Sequence, residues 1–452
     1  MAAAAAMQSL ATQPVSHGSP LRNGLLRGQG LFSYPTCPWI GPHRAGPSPA
    51  GEDEMARTTK KAAAKTKAGA AKSPAGKAKP ADKTKAAAKR KDLSKRKIAA
   101  PKLAYQPRDP RSYRPNIGLI ACGGITSAHL RAYKAAGYKV VALCDLIEGR
   151  AVKRQEEFYP KADVYVDYRD VLARPDIEVV DIATHPKDRE PLLEAALRAG
   201  KHVLSQKPFV LDLDFGGKLV KLADRKSVKL AVNQNGRWAP HFAYLRTAIA
   251  EGLIGEVFAA HLCVHWNHNW VKGRPFDKIR HCILYDFAIH WFDILNCFMG
   301  AKKARKVYAS WARSPGQIAT PKMLAQVGIE YDNAQATLVF DADVHCGDQA
   351  RNYIAGTAGT LVSGPEGDDP EQVTLYTPRG FGKPKLLGRW FPDGFHGTMG
   401  ELLRAIEEDR EPYNSARHNL ESLALCFAAV ASAETGQPVK PGTIKRLEPG
   451  WM

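Results

Sequence analysis

The chain has 452 residues, of which 44% are hydrophobic and 24% are charged, and it carries a formal net charge of +20. This length accommodates two or three domains, and the composition is ordinary for a globular protein. The longest apolar run, residues 423–433, is shorter than the roughly 18 residues that a membrane-spanning helix needs, so we predict no membrane span.

The positive charge is concentrated at the N-terminus. Residues 1–116 contain 23 Lys and Arg against 6 Asp and Glu, a net charge of +17, which leaves only +3 for the rest of the chain. A polyanionic partner would therefore belong to the N-terminal segment and not to the folded body.

We predict that residues 1–114 form a disordered basic tail rich in Ala, Lys and Pro, because residues 57–97 cannot bury a core. Two interpretations stay open for this tail: weak, salt-sensitive binding to DNA or other polyanions, or a solvated extension without a partner. The absence of interleaved aromatic residues favours the second. Residues 1–54 faintly resemble an organelle transit peptide, and Met55 is an alternative start of translation.

The eight cysteines are scattered without a close pair, and several lie in apolar runs. This distribution favours reduced, buried thiols in a cytoplasmic protein over a disulfide framework or a zinc site.

From residue 116 onward, strands and helices alternate, which is typical of a parallel sheet. A strand at 116–121 runs into a glycine turn, a helix follows at 125–136, and a second strand at 139–144 ends at Asp145. In this layout the turn faces a dinucleotide pyrophosphate, and Asp145 hydrogen-bonds the ribose diol. An acid there disfavours a 2′-phosphate, so NAD is the expected cofactor and NADP the alternative. The glycine pattern is imperfect, because Ala121 and Thr126 stand where glycine is usual.

The same alternation continues to residue 235 and ends the first predicted domain, 115–235. Strands are predicted at 178–183, 202–205 and 229–232, and helices at 189–198 and 213–225. The segment AGKHVLSQKP delivers Lys207 to the carboxyl end of a short strand, where open α/β sheets bind their ligands.

Residues 284–299 are predicted to form a buried helix that ends at Gly300. Asp286, His290 and Asp293 fall at i, i+4 and i+7, on one face of an otherwise apolar helix. Buried acids are costly unless they are paired. Taken alone, this pattern would favour a buried histidine that is hydrogen-bonded to its acidic partner and has no catalytic role. Because Lys207 and the dinucleotide turn occur in the same chain, we favour a catalytic role.

Other candidate residues follow the first domain. Arg237 either binds a carboxylate or phosphate or braces its loop, and both interpretations stay open. The segment HWNHNW at 265–270 suits a sugar ring or, equally, a sheet edge at a subunit contact. A metal site at His265 and His268 is disfavoured, because no acid accompanies them. We expect His396 to cap a helix rather than enter the cleft.

Six segments together resemble the Gfo/Idh/MocA family of nicotinamide-dependent oxidoreductases. They read NIGLIACGGITSAHL, VVALCD, VVDIATHP, AALRAGKHVLSQKP, NQNGRWAPHF and LYDFAIHWFDIL. The resemblance implies an N-terminal Rossmann domain and a C-terminal α/β domain, here 236–452, with an open, mostly antiparallel sheet. That sheet often forms the subunit interface in the family, so we predict a homo-oligomer.

The sequence patterns and the resemblance together give the candidate site residues. The catalytic candidates are Lys207, Asp286 and His290. The cofactor-binding candidates are Cys122, Gly123, Gly124, Ile125, Asp145, Thr184 and Lys207. The substrate-binding candidates are Arg237, Trp238, His268, Trp270, Asp286 and His290. No metal is predicted. Two positions depart from the family pattern, since Gln206 replaces a glutamate and Arg189 replaces a common histidine.

We therefore predict hydride transfer between NAD and a secondary alcohol or ketone of a sugar, cyclitol or related polyol. His290 would act as acid and base, Asp286 would orient His290, and Lys207 would polarise the substrate oxygen. Two alternatives stay open: an NAD-dependent glycosidase that works by oxidation and elimination, and a non-enzymatic binding protein on the same fold.

Overall fold

The computed structural model describes residues 96–367 and 369–451, which contain two β-sheets. The first is a six-stranded parallel sheet with the order β3-β2-β1-β4-β5-β6. Its strands are β1 (Asn116–Ile120), β2 (Lys139–Cys144), β3 (Asp163–Tyr165), β4 (Ile177–Ile182), β5 (His202–Ser205) and β6 (Leu230–Val232). The strand order reverses at β1, so a crevice opens at the carboxyl ends of β1 and β4, as in dinucleotide-binding sheets.

Five helices accompany this sheet: α1 (Thr126–Ala135), α2 (Glu148–Phe158), α3 (Tyr168–Ala173), α4 (Pro186–Arg198) and α5 (Leu213–Arg225). The predicted strands and helices are present, with small shifts at their ends. The sequence reading did not identify α2, β3 and α3, because this part of the chain is short in apolar residues. In α2, for example, only Ala151 is buried.

The second sheet has eight strands, and β7 and β10 are its only parallel neighbours within the described residues. The spatial order is β14-β13-β12-β11-β7-β10-β9-β8. Its strands are β7 (Val257–His265), β8 (Lys306–Ala312), β9 (Leu324–Glu330), β10 (Gln335–Asp341), β11 (Gln349–Gly356), β12 (Gly359–Glu366), β13 (Asp369–Thr377) and β14 (Gly380–Gly382). The predicted fold class, a Rossmann domain followed by a mostly antiparallel α/β domain, is confirmed.

Four more helices are α6 (Pro240–Ala250), α7 (Ile289–Met299), α8 (Trp390–Glu407) and α9 (Ala416–Thr435). Helices α7 and α9 pack on one face of the second sheet, and α8 packs against α1 of the first domain. There Phe395, Met399 and Leu402 share a buried core with Ile117 and Leu130. The C-terminal part of the chain therefore completes the core of the N-terminal domain.

The predicted tail, 1–114, is too long, because residues 96–114, which we call the N-terminal strap, contact the folded body. The strap pairs with the edge of the second sheet, where the Ile98 amide donates to the Phe381 carbonyl at 2.8 Å. Further along, the Glu407 carboxylate accepts the backbone N–H groups of Arg111, Ser112 and Tyr113. The strap thus lies on the folded body up to β1. Of the basic segment 57–97, to which polyanion binding was assigned, all but the last two residues lie outside the described residues.

Two sequence predictions concern the state of the cysteines and the presence of membrane-spanning helices. The seven cysteines within the described residues are free thiols, of which four are buried, two are partly buried and one is exposed. Among the helices of residues 96–367 and 369–451, none is long and apolar enough to cross a membrane.

Candidate active site

The turn after β1 has the backbone geometry of a dinucleotide-binding loop. Ala121 has φ of 72°, the left-handed conformation that explains why glycine is usual at this position. Helix α1 starts without a side-chain cap, and the N–H groups of Gly123, Gly124 and Ile125 have no partner within the described residues. Since a Cβ at Gly123 would meet nothing within 4 Å, the space beside the turn is open. These free donors at a helix N-terminus fit a pyrophosphate.

Thr126, at the third glycine position, uses its hydroxyl within the turn itself. The hydroxyl donates to the Gly123 carbonyl at 2.6 Å, and the Arg154 guanidinium donates to the same carbonyl at 3.1 Å. The Thr126 hydroxyl therefore forms a hydrogen bond within the turn and is not directed toward a ligand.

Asp145 lies at the end of β2 and is 8% exposed. One carboxylate oxygen accepts the Cys122 N–H at 2.8 Å, and the other accepts the Ile147 N–H at 2.9 Å. Each oxygen keeps a further lone pair, so the carboxylate can still accept ribose hydroxyls. Thr184 contributes another candidate contact, because its buried hydroxyl has no partner among the described residues. These side chains fit a bound NAD.

Lys207 follows β5, and its peptide bond to Pro208 is cis. Its ammonium donates to the backbone carbonyl of Asp286 at 2.9 Å and to the Asp286 carboxylate at 3.2 Å. Both side chains are 17% exposed, so the ion pair lies at the wall of the cleft and not in the core. The sheet thus presents a paired cation at its carboxyl edge.

The predicted helix at 284–299 is wrong as a single α-helix. Residues Cys282–Phe287 form a π-helix, and α7 begins only at Ile289. The wider turn places Asp286 against Lys207, and no hydrogen bond joins Asp286 to His290 within the described chain. The expected orienting role of Asp286 toward His290 is therefore not supported, since Asp286 contacts the lysine instead.

His290 lies at the start of α7 and is 3% exposed. Its Nδ1 is buried beside Gly236 and has no hydrogen-bond partner among the described residues, so Nε2 is the ring nitrogen that keeps solvent contact. Burial, and secondarily the charge of Lys207, hold the pKa of His290 well below its ordinary value of 6.5. The imidazole is therefore neutral and able to accept a proton.

Arg237 does not face a ligand. Its guanidinium donates to both oxygens of the Asp293 carboxylate, at 2.5 and 2.8 Å, and to the Tyr413 carbonyl. The two side chains are 7% and 1% exposed. Of the two interpretations left open by the sequence, the structure supports bracing, and the substrate-binding assignment of Arg237 is corrected.

We expect Arg237→Ala to lower the free energy of unfolding by about 3–5 kcal/mol, because it leaves the Asp293 charge buried and unpaired. Chemical denaturation measures this loss. A double variant, Arg237→Met with Asp293→Leu, should recover most of the stability. An Arg237→Ala protein with unchanged stability and a raised KM would instead support substrate binding.

Trp238 is also a packing residue. It is 6% exposed and fills the space beside Gly397, where a Cβ would lie 2.1 Å from the indole. The Arg246 guanidinium lies 5.7 Å from its ring centroid. Trp238 therefore packs against α8 within the C-terminal domain, and its predicted contact with substrate is not supported.

His268 and Trp270 lie on the cleft side. His268 is buried with both ring nitrogens unpartnered among the described residues, and it stacks on Trp266 with an interplanar angle of 7°. Burial, then the charge of Lys207, lowers its pKa to about 3. The Trp270 ring centroid lies 5.8 Å from that of His268. An imidazole with two free nitrogens beside an indole suits hydroxyl groups on an apolar ring face.

Two further histidines singled out in the sequence lie beside carboxylates. His265 pairs with Asp341 at 2.8 Å, and no metal-like cluster of His, Cys, Asp and Glu occurs within residues 96–367 and 369–451. His396 caps no helix, because it pairs with Asp109 of the N-terminal strap at 2.8 Å.

The sequence reading missed one buried polar residue of this region. Gln234 is 1% exposed, and neither amide atom has a partner in the described part of the chain. It lies in the segment NQNGRWAPHF, immediately before the turn that carries Gly236. No spacing rule marked this residue, since a glutamine after a strand is ordinary.

The fold and the site together define a dinucleotide-binding protein with a Lys–Asp pair and a neutral histidine at the carboxyl edge of its first sheet. Residues 115–234 match the family described as "Oxidoreductase family, NAD-binding Rossmann fold", and residues 246–440 match "Oxidoreductase family, C-terminal alpha/beta domain". The chain belongs to the Gfo/Idh/MocA oxidoreductase family. It is an NAD-binding oxidoreductase of the class that acts on CH–OH groups.

The alignments with similar proteins cover most of this chain. It is 27% identical to the D-apiose dehydrogenase of Paraburkholderia graminis over 348 residues, 73% of this chain and 90% of that protein. It is 27% identical to the inositol 2-dehydrogenase of Rhizobium meliloti over 332 residues, 70% of this chain and 96% of that protein. An oxidoreductase from Agrobacterium radiobacter, solved with NAD⁺, L-tartaric acid and magnesium, shares the fold with a TM-score of 0.66 and 23% identity, covering 73% of this chain and 99% of that one.

Proposed function

We propose that the protein transfers a hydride between NAD and a secondary alcohol or ketone of a sugar, cyclitol or related polyol. The observation that carries the proposal is the Lys207–Asp286 ion pair at the carboxyl edge of the parallel sheet, with neutral His290 on the following helix. Dehydrogenases of D-apiose and inositol among the relatives support this substrate class.

NAD, when bound, supplies the hydride acceptor for oxidation and the donor for reduction. In the oxidative direction the Lys207 ammonium donates a hydrogen bond to the substrate oxygen and stabilises the negative charge that develops there. The Nε2 atom of His290 takes the hydroxyl proton as the C–H bond gives up its hydride and the carbonyl forms. In the reductive direction the protonated His290 returns that proton to the oxygen.

Asp286 has a role different from the one expected from its spacing. Its carboxylate and its carbonyl both accept hydrogen bonds from Lys207, so it holds the ammonium in place. His290 then relies on its packing beside Gly236 and Trp390 for its orientation.

The polar groups around this pair suit a substrate with several hydroxyls. His268 and Gln234 are buried with unpartnered donors and acceptors in the described structure, and Trp270 supplies an apolar surface. A buried polar group without a partner costs free energy, which a hydroxyl-rich ligand would recover by completing the hydrogen bonds.

The test is turnover of the purified full-length chain with NAD⁺ and a panel of pentoses, cyclitols and glycosides, followed by NADH absorbance. Accumulation of NADH with a ketone product supports the proposal. Glycoside cleavage without net NADH would support the oxidation–elimination alternative. Saturable binding of a sugar with no product of either kind would favour a binding protein.

We also propose that the open face of the second sheet pairs with a second copy of the chain. Tyr308 and Tyr353 lie in one row across this face, because Tyr308, Gly328, Thr337, His261 and Tyr353 are consecutive register partners. Both tyrosines are 48% exposed, whereas the opposite face packs on helices. Light scattering should give a mass of at least two chains, and Tyr353→Glu should lower it; a monomeric parent protein would contradict the interface.

A further inference from the structure

The loop that carries Lys207 is anchored on both sides of the lysine. The Arg189 guanidinium donates to the carbonyls of Gln206 and Pro208, and to the Thr184 carbonyl. The side-chain oxygen of Gln206 accepts the backbone N–H of Lys207 at 2.7 Å. The peptide groups that flank the catalytic candidate are therefore held by buried side chains.

Behind Gln206 lies a buried polar network. The amide nitrogen of Gln206 lies 3.1 Å from Nε2 of His129, and the amide nitrogen of Asn233 lies 3.3 Å from the same atom. On the other side of the ring, Nδ1 of His129 lies 2.7 Å from the Asp181 carboxylate, which also accepts the Tyr133 hydroxyl at 2.7 Å. His129 and Asp181 are 0% exposed.

These partners determine the protonation of the network. Because Gln206 already accepts from Lys207 through its oxygen, its nitrogen must donate to His129. The Nε2 atom of His129 is therefore an acceptor, and the ring proton lies on Nδ1, where it is donated to Asp181. The imidazole is neutral, and a neutral amide separates the Asp181 charge from the lysine loop.

The groups that face the Lys207 ammonium are few. Asp286 is its carboxylate partner, and Arg189 is a cation on the opposite side of the loop. The rings of His268 and His290 have pKa values that are lowered by burial and, secondarily, by the Lys207 charge. Asp286 is thus the one carboxylate in contact with the ammonium within the described residues.

We propose that Gln206 is a positioning residue for Lys207. Its oxygen fixes the backbone of the lysine, and its uncharged amide, unlike a carboxylate, leaves Asp286 as the one carboxylate that pairs with the ammonium within the described residues. The effect of Gln206 on the reaction rests on the proposed role of Lys207 in hydride transfer.

Gln206→Glu and Asn233→Asp form a matched pair of tests. Each places a carboxylate beside Nε2 of His129, but only residue 206 also touches Lys207. The pKa of Lys207 can be measured without substrate, by NMR of isotope-labelled methyl groups introduced by reductive methylation, with Lys207→Arg identifying the signal. We expect Gln206→Glu to raise the pKa of Lys207 by about one pH unit, since a carboxylate several ångströms away favours the charged form. Asn233→Asp should leave it nearly unchanged.

A kinetic comparison separates positioning from mere packing. Gln206→Ala removes the acceptor for the Lys207 N–H and should lower kcat roughly ten- to hundredfold with the KM for NAD unchanged. Gln206→Glu keeps that acceptor and should restore most of kcat, although its buried charge should make it the least stable variant. A packing role would instead rank kcat in the order of the melting temperatures.

Each result decides the inference. Equal Lys207 titrations in Gln206→Glu and Asn233→Asp would overturn it, as would kcat values that follow stability. If Gln206→Glu does not fold, the kcat and KM values of Gln206→Ala decide. If the parent chain shows no turnover at all, the proposed function fails, and the NMR titration still decides whether Gln206 controls the lysine.

Discussion

Lys207→Met should lower kcat by roughly 10²–10³-fold, the usual loss when one preorganised donor to a developing oxyanion is removed. The ammonium is the group that the Asp286 carboxylate and carbonyl aim into the cleft, and methionine retains the volume without the charge. Lys207→Arg should be nearly as damaging, because a planar guanidinium cannot replace a compact ammonium at this position. Steady-state rates with NAD⁺ and the best substrate of the panel measure both effects.

Lys201 offers a matched control for this prediction. It is a buried lysine next to β5, and its ammonium donates to the carbonyls of Arg174 and Ile177 at the opposite, amino end of the strand. Lys201→Met should lower stability and leave kcat close to that of the parent chain. Near-normal turnover of Lys207→Met, with NADH binding intact, would mean that Lys207 is structural.

His290→Gln should lower kcat by roughly 10²–10⁴-fold and remove the acid limb of the pH profile for oxidation. A base must be unprotonated, and burial together with the Lys207 charge lowers the pKa of His290 well below 6.5. Oxidation should therefore persist below pH 6.5 and fall only at more acidic pH. In Lys207→Met that limb should move to higher pH, because the neighbouring cation is gone. The pH dependence of kcat/KM measures both changes.

The matched control is His202→Gln. Burial lowers the pKa of His202 to about 4, but its ring accepts the Lys229 N–H away from the cleft. This variant should keep the acid limb where it is. An unchanged profile in His290→Gln would exclude His290 as the base.

The same histidines make the fold sensitive to acid. His202, His268 and His290 have pKa values lower in the folded chain than the ordinary value of 6.5. Below pH 6.5 the unfolded chain therefore binds more protons than the folded chain. Their contribution to stability is complete above that pH and is lost as the pH falls toward the folded-state values.

The parts of the fold that were predicted correctly depend on local patterns. Apolar strands, helix ends and turn residues repeat along residues 116–232, so the parallel sheet and the carboxyl-edge location of Lys207 follow from neighbouring residues alone. One of the two family models that the chain matches covers the same segments. The catalytic roles of Lys207, Asp286 and His290 stay predictions, although the structure brings the lysine and the aspartate into contact.

The predictions that were wrong concern side chains whose hydrogen-bond or ion-pair partners are distant in sequence. The i, i+4 spacing joined Asp286 to His290, but a π-helix and Lys207, 79 residues away, gave Asp286 another partner. Arg237 looked available to a ligand until Asp293, 56 residues further on, was found beside it. Because spacing rules assume a regular helix, they cannot predict a partner that lies on another helix or strand.

The amino-acid sequence by itself determined the order of strands and helices, the dinucleotide turn and the strand that ends at the lysine. Each follows from backbone preferences and apolar periodicity over a few neighbouring residues. The tertiary structure alone decided which charges neutralise one another, that helix α8 completes the core of the first domain, and that the N-terminal strap lies on the folded body. These outcomes depend on burial and on contacts between distant segments, where the cost of an unpaired charge selects the partner.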